Sequence, residues 1–173
     1  VGFFGIPFPA ELGGAGGDTL GYTLAVEELS RACATTGVIL SAHVSLGAAP
    51  IFEFGTPEQK EEYLLPLARG ERLGAFGLTE PNAGTDAAAQ QTTAVCDGGE
   101  YVLNGTKMFI TNSGYAGSYI ITAMTDKSAG TKGISAFIVP ADAEGFSVGP
   151  KENKLGIRGS ATAELILEDV RIP

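Results

Sequence analysis

Hydrophobic positions in the first 72 residues recur at helical spacing, and Asp18 gives the first start signal as a predicted N-cap. The apolar stripe after it consists of Leu20, Leu24, Ala25 and Leu29. Glu27, Glu28 and Arg31 lie between these positions and are expected to face water. We therefore predict a first helix that is apolar along this stripe.

A second predicted helix runs from Thr36 to Phe54 and is apolar on nearly every side. This pattern is typical of a helix in the middle of a larger structure. The run contains His43, Pro50 and Glu53, whereas a bilayer span needs about 20 residues almost free of such groups. We therefore predict a buried helix that ends at Gly55, and no membrane span.

The third predicted helix has the clearest start signal in the chain. Thr56 stands at the N-cap, Pro57 at the first helical position and Gln59 at the third, which is the pattern of a capping box. Pro66 is expected to break or kink this helix because proline lacks the N–H that a helix interior uses. Gly70 then marks its end.

After residue 72 the pattern changes to short strand-like runs separated by turn residues. The predicted strands are Leu73–Thr79, Thr92–Cys96, Tyr101–Lys107, Tyr119–Thr125, Ile134–Pro140, Phe146–Gly149 and Ala163–Val170. The predicted turns are Asp97-Gly98-Gly99, Asn104-Gly105, Asn112-Ser113-Gly114, Ser128-Ala129-Gly130 and the segment Gly156 to Gly159. Because no helices separate these strands, we predict antiparallel pairing in a β-barrel or sandwich. The expected fold class is α+β, with a helical segment over 1–72 followed by a β domain over 73–173.

Composition narrows the function classes. The net charge is −9 at pH 7, from 11 basic and 20 acidic residues, so nucleic-acid binding is not expected. Two distant cysteines and a single histidine supply neither a zinc set nor a disulfide framework. The 25 glycines lack the collagen period, which assigns them to turns and close backbone approaches.

Several familiar signatures are incomplete or missing. Gly14-Ala15-Gly16 resembles the start of a dinucleotide-binding motif, but Thr19 stands where the third glycine belongs and no strand precedes it. The chain has no P-loop and no nucleophile elbow. His43, on an apolar helix, is interpreted as a satisfied interior or interface side chain. The adjacent acids Glu27/Glu28 and Glu61/Glu62 are interpreted as solvated surface.

Two segments carry the chemistry. The first, Phe76 to Asp86, is a strand that runs into irregular backbone with Pro81, Gly84 and Thr85. Backbone groups that no sheet pairs are free to face a ligand, and a threonine hydroxyl both donates and accepts hydrogen bonds. A tight strand exit, with Asp86 capping the next segment, explains the same pattern equally well.

The second segment, Lys107 to Gly114, presents Phe109 and then Thr111. A flat redox ring needs a hydrophobic wall and a hydroxyl that serves the ring nitrogen N5 in both redox states. Threonine meets that need because its hydroxyl rotates between donor and acceptor roles. A β-turn with a core phenylalanine is the alternative that the residues leave open.

In this order and spacing, the two segments resemble the acyl-CoA dehydrogenase family. The matching motifs are L-T-E-P-N-A-G-T-D at 78–86, K-M-F-I-T-N at 107–112, L-G-I-R-G-S at 155–160 and E-D-V-R-I-P at 168–173, together with P-A-E-L-G-G at 9–14 and G-T-P-E-Q-K at 55–60. The resemblance covers essentially the whole chain, and the short-chain, butyryl-CoA branch is the nearest. Asn82 stands where many members have glycine, and Phe109 where several have tryptophan.

The resemblance implies a flavin site and part of a substrate site. The implied cofactor-binding residues are Phe76, Leu78, Thr79, Gly84, Thr85, Phe109, Ile110 and Thr111. Thr85 and Thr131 are the implied substrate contacts, and no metal is expected. The family's catalytic base is a glutamate of a C-terminal helical domain, which is expected beyond Pro173, so Glu80 is not assigned that role.

The resemblance also implies a function. It predicts FAD-dependent α,β-dehydrogenation of short-chain acyl-CoA to trans-2-enoyl-CoA, with electrons passed to electron-transferring flavoprotein. A homotetramer is implied, located in the bacterial cytoplasm or the mitochondrial matrix. Residues 1–173 alone are expected to be inactive, since the base is not among them. The alternatives are a same-fold acyl-CoA oxidase and a non-catalytic β binding module with a helical arm.

Overall fold

The structure is a computed structural model that describes residues 2–173. Three helices come first in the chain, and they are α1 (Thr19–Ala32), α2 (Ala34–Phe54) and α3 (57–69). Seven strands come after them, and they are β1 (Leu73–Gly77), β2 (Thr93–Asp97), β3 (Glu100–Thr111), β4 (Ala116–Met124), β5 (Ile134–Pro140), β6 (Phe146–Lys151) and β7 (Thr162–Ile172). All seven predicted strands are therefore present, β5 with the predicted ends and the other six with shifted ends.

Local start and stop signals of the helices are confirmed. The Asp18 side chain accepts a hydrogen bond from the Gly21 N–H at 2.7 Å, and both halves of the capping box between Thr56 and Gln59 form. Pro66 does not end α3, because a π-helical turn directly before it accommodates the ring. Gly70 ends the helix in the left-handed region, with φ 75°.

The predicted apolar stripe of α1 does not become a buried face. Leu20 is 65% exposed and Leu24 is 51% exposed. The helix instead packs through Tyr22 and Val26, together with Leu29 of the predicted stripe. Sequence spacing marks a face of a helix as apolar, but the partner element decides which face is covered.

Helix α2 is the central helix, as predicted, and it lies against β1. Its 21 residues have a mean hydropathy of 1.4 in the most apolar window, a value that membrane spans and core helices share. A Cβ on Gly47 would stand 2.6 Å from the carbonyl carbon of Gly74, so the two backbones touch without side chains between them. A π-helical turn at His43–Ala48 lies at this contact.

The strands form one seven-stranded sheet that curls into a half-barrel. The order is β1-β4-β2-β3-β7-β6, with β5 on the other edge of β4. Antiparallel pairing is confirmed for β2–β3, β3–β7, β4–β5 and β6–β7. The prediction is wrong for β1–β4 and for the single β2–β4 pair, which are parallel because the chain crosses over between them.

The predicted Asn104-Gly105 turn is also wrong. These residues lie inside β3, where the pairing register with β7 shifts. Asn104 exchanges two hydrogen bonds with Asp169, each 2.9 Å long, and Gly105 has φ 152° where a Cβ would meet Thr92. The dipeptide that signals a hairpin turn therefore lies opposite a β-bulge of β7, which has one extra residue between Leu167 and Val170.

Two apolar clusters hold the chain together. One fills the inside of the sheet and includes Leu103, Tyr119 and Leu165. The other lies between the helices and the sheet and includes Val44, Ile51, Leu64 and Ile120. Since Ile120 belongs to a strand, the second cluster joins the helices to the β region.

Candidate functional site

A cavity of about 260 Å³ opens where α2 meets the ends of β1 and β3. Its lining contains six of the predicted cofactor-binding residues: Phe76, Leu78, Thr79, Phe109, Ile110 and Thr111. Ala42 and Leu46 of α2 complete the wall. Two segments that are about 30 residues apart in the sequence thus share one mostly apolar cavity with two threonines.

The backbone brings the two segments together. Strand β1 ends at Gly77, and the next residues leave the sheet. The Met108 N–H donates a hydrogen bond to the Thr79 carbonyl at 2.7 Å, which ties the first segment to β3. In the alternative, a tight strand exit with Asp86 capping the next segment, the cap is not formed, because the Asp86 side chain makes no capping hydrogen bond.

Phe109 adopts an unusual backbone conformation for an aromatic residue. Its φ is 59°, in the left-handed region, and its side chain is 60% exposed at the cavity. The register between β3 and β7 shifts between Lys107 and Ile110, so a β-bulge turns Phe109 out of the sheet. Strain of this kind, on the order of 1–3 kcal/mol, is often kept where a side chain must face a ligand.

A buried ion pair lies behind the cavity. The Lys107 ammonium is 2.7 Å from Glu80 Oε1, and the exposed fractions of the two side chains are 0% and 4%. The ammonium also donates to the Leu78 carbonyl at 3.1 Å, Gln90 Oε1 at 3.2 Å and Thr122 Oγ1 at 3.3 Å. Each of the two motifs contributes one charge to this pair.

The carboxylate of Glu80 also closes a loop. It accepts hydrogen bonds from the backbone N–H groups of Gln91 and Thr92, at the far end of the loop that begins at Pro81. Burial raises the pKa of the Glu80 carboxyl, but the hydrogen bonds from Lys107, Thr92 and Gln91 outweigh it and the pKa lies below its usual value. Burial lowers the pKa of the Lys107 ammonium, against the opposing effect of Glu80.

Three predicted site residues lie outside the cavity. Gly84 and Thr85 are exposed on the loop that Glu80 closes. Thr131 lines a second cavity of about 320 Å³ together with Gln90 and Lys127, among others. Because Gln90 also contacts Lys107, the wall of this second cavity touches the buried ion pair.

His43 has a structural position, as predicted from its place on an apolar helix. Its Nε2–H donates to the Leu67 carbonyl at 3.1 Å, and its Nδ1 accepts from the Gly74 N–H at 2.9 Å, which fixes the neutral tautomer. Burial lowers the pKa of the imidazole to about 4, against the opposing effect of the Leu67 carbonyl. The ring therefore joins α2, α3 and β1 and is not poised for acid–base chemistry at neutral pH.

Sequence reasoning missed four residues that line the cavity or lie behind it: Ala42, Leu46, Gln90 and Lys107. Ala42 and Leu46 carry no distinctive chemistry, and Gln90 lies in no recognised motif. Lys107 belongs to a motif but has no predicted role, because a lysine in a strand normally faces solvent. Its position four residues after buried Leu103 on β3 was the available signal, since strand side chains alternate between faces.

Two family models match the chain. The acyl-CoA dehydrogenase N-terminal domain matches residues 1–71, and the acyl-CoA dehydrogenase middle domain matches residues 75–170. Among curated proteins, the chain is 63% identical to the short-chain specific acyl-CoA dehydrogenase of Clostridium acetobutylicum. That match covers 99% of this chain and 45% of the relative, so the chain spans about half the length of the curated relatives it matches.

Three solved structures are similar over 99% of the chain. A chain in the structure on the electron transferring flavoprotein of Acidaminococcus fermentans has a TM-score of 0.98 and 59% identity, over 45% of its own length. Butyryl-CoA dehydrogenase from Megasphaera elsdenii has a TM-score of 0.96 and 55% identity over 46% of its length. Acyl-CoA dehydrogenase complexed with FAD from Bacillus anthracis has a TM-score of 0.92 and 44% identity over 29% of its length.

The matched models together span most of the sequence, and the cavity lies where the two matched regions meet. The motifs at 78–86 and 107–112, which carry the resemblance, are the segments that form this cavity. The chain belongs to the acyl-CoA dehydrogenase family.

Proposed function

We propose that the protein oxidises short-chain acyl-CoA thioesters to trans-2-enoyl-CoA with FAD and passes the electrons to electron-transferring flavoprotein. The observation that carries the proposal is the convergence of Phe76, Leu78, Thr79 and residues 109–111 on one cavity. The names of the Clostridium acetobutylicum and Megasphaera elsdenii relatives support a short-chain substrate. The similarity to a chain in the Acidaminococcus fermentans structure supports electron-transferring flavoprotein as the electron acceptor.

The residues of the cavity fit a flavin ring. Phe76, Phe109 and Leu46 supply apolar surface for a flat aromatic system. The hydroxyls of Thr79 and Thr111 supply the polar contacts, and either can donate or accept. When bound, FAD supplies the hydride acceptor. We assign Thr111 to the ring nitrogen N5, because its hydroxyl can serve that atom in both redox states.

The remaining assignments belong to the same proposal. Residues 1–72 form part of the helical domain and residues 73–173 form the middle domain. Gly84 and Thr85 meet the cofactor, and Thr85 and Thr131 bind the acyl-CoA. The catalytic base is a glutamate outside residues 1–173, in a homotetramer that works in the bacterial cytoplasm or the mitochondrial matrix.

Anaerobic titration of the full-length protein tests the proposal. We expect the purified protein to show the absorption of bound flavin and butyryl-CoA to bleach it without oxygen. Substantial peroxide formation from butyryl-CoA in air would assign the protein to the oxidases instead. A colourless protein that does not take up added FAD would favour a binding module.

Thr111→Ala tests the assigned role of the hydroxyl. One hydrogen bond to a bound group contributes about 1–3 kcal/mol, so we expect flavin reduction by butyryl-CoA to slow at least several-fold. The stability of the apoprotein should change little, because Thr111 is only half-buried. Stopped-flow reduction and thermal unfolding measure the two effects, and an unchanged reduction rate contradicts the assignment.

A further inference from the structure

In the buried ion pair behind the cavity, Lys107 donates hydrogen bonds to other groups besides Glu80. The Lys107 ammonium has four hydrogen-bonded acceptors from three parts of the chain: Leu78 and Glu80, Gln90, and Thr122. Only one of them carries a charge, so charge neutralisation alone does not explain the arrangement. The other three acceptors show which backbone and side-chain groups the ammonium holds in place.

One of these groups is the peptide between Leu78 and Thr79, which lines the cavity. The Leu78 carbonyl points to the ammonium at 3.1 Å. In a trans peptide the following N–H points the opposite way, so the Thr79 N–H is directed away from Lys107. Among residues 2–173, no acceptor is found for that N–H, and it is free to meet a ligand in the cavity.

The ammonium also holds the base of the loop between β1 and β2. Glu80 lies directly before the loop 81–89 and accepts hydrogen bonds from the backbone N–H groups of Gln91 and Thr92, beyond its other end. Gln90, 3% exposed, turns its side-chain oxygen to Lys107 at 3.2 Å. Both ends of the loop that carries Thr85 therefore depend on one charged group.

We propose that Lys107 is a positioning residue that fixes the Leu78–Thr79 peptide towards the flavin and the loop 81–89 towards the acyl-CoA. The proposal rests on the proposed function. Glu80 keeps the ammonium charged and oriented in the protein interior. A buried structural ion pair would stabilise the fold without altering cofactor affinity or potential, so these two quantities separate the two roles.

The double variant Glu80→Gln/Lys107→Met in the full-length protein is the central test. It removes both charges together and leaves no unpaired ion in the core, whereas Lys107→Met alone leaves the Glu80 carboxylate without its partner. We expect the apoprotein to stay folded, the FAD dissociation constant to rise at least tenfold, and the midpoint potential of the bound flavin to fall. The potential falls because the Thr79 N–H is no longer polarised by the ammonium.

Glu100→Gln/Arg171→Met is the control, since it removes the exposed ion pairs that Arg171 forms with Glu100 and Asp97, outside the cavity lining. It should leave FAD affinity and potential unchanged. Wild-type affinity and potential in the Glu80/Lys107 double variant would overturn the inference. Failure of the wild-type protein to bind FAD would instead overturn the proposed function, and the inference with it.

Gln90→Met supplies a second test that holds if the double variant does not fold. It keeps the ion pair but removes the contact between Lys107 and the end of the loop. We expect the KM for butyryl-CoA to rise at least threefold while the midpoint potential of the bound flavin stays unchanged, because the Leu78 carbonyl keeps its hydrogen bond from Lys107. An unchanged KM would overturn the loop-holding part of the inference.

Discussion

The helical and β regions of this chain differ in how completely they bury themselves. Helix α1 has no buried residue, and its side chains Leu20 and Leu24 face solvent. The sheet encloses a continuous cluster in which Leu103, Ile121 and Leu165 are fully buried. The β region therefore has a core of its own, whereas the helical region leaves α1 without a buried residue and shares its core cluster with Ile120 of β4.

The candidate cavity lies at the boundary between these two regions, and polar contacts cross that boundary. His43 bonds to Gly74, and the Asn112 side chain donates to the carbonyls of Gly74 and Ile39. These contacts fix the distance between α2 and the strand ends more closely than apolar packing does, because hydrogen bonds are directional. The comparison indicates that the core of the sheet contributes most of the stability, whereas the hydrogen bonds between α2 and the strands set the positions of the cavity walls.

The largest expected effect contrasts one leucine from each region. Leu165→Ala, in the sheet core, should lower the free energy of unfolding by about 2–5 kcal/mol, because it leaves a cavity that the sheet cannot close. Leu24→Ala on α1 should change it by no more than about 0.5 kcal/mol. Urea unfolding of both variants measures the contrast, and similar losses would show that α1 is covered in solution.

The next effect tests the junction through pH. The pKa of His43 is about 4 in the folded protein, below its ordinary value of 6.5, so between these values the unfolded chain binds a proton that the folded chain does not. Stability should therefore decrease as pH falls from about 6.5 to about 4, by up to about 3 kcal/mol, and then level off for this group.

His43→Gln is the control for that pH dependence. The variant should be less stable at pH 7, because one of two buried hydrogen bonds is lost. It should also lose the His43 part of the slope, while the carboxylates titrate as before. Equal slopes in wild type and variant, measured by thermal unfolding from about pH 4 to about pH 7, would contradict the assigned neutral state.

A smaller effect tests a local signal in the helical region. Thr56→Ala removes the side-chain half of the capping box at the start of α3 and should cost about 1 kcal/mol. Thr56→Ser keeps the hydroxyl and should cost much less. If chemical denaturation shows no difference between the two variants, the sheet rather than the cap holds the start of α3.

The smallest effect concerns the strained residue at the cavity. Phe109→Asn should raise the stability of the apoprotein by about 0.5 kcal/mol, because asparagine tolerates a positive φ better than phenylalanine. The same change removes an apolar ring from the cavity, so FAD affinity should fall. Equilibrium unfolding and FAD titration test the two parts, and a variant that loses stability would show that the ring packs within the fold.

The sequence predicted the elements well because their signals are local. Caps such as Asp18 and Thr56 act within one helical turn, and the Gly98-Gly99 turn joins β2 and β3 with positive φ at both glycines. The same local reasoning failed at Asn104-Gly105, which continue β3 as strand residues opposite a bulge of β7. It also failed for α1, where the choice of buried face depends on elements that are distant in sequence.

The residue types alone left a site and an ordinary turn equally open at both segments, and the resemblance to the acyl-CoA dehydrogenase family singled out the motifs at 78–86 and 107–112. Residues of both motifs line the candidate cavity. Tertiary structure decided which of their side chains meet. It buried Lys107 against Glu80, brought Leu46 of a distant helix to the same cavity as Phe76, and left Thr131 in a neighbouring one. The physical reason is that burial and ion pairing depend on the register and curvature of the whole sheet, whereas propensities, caps and turns depend only on neighbouring residues.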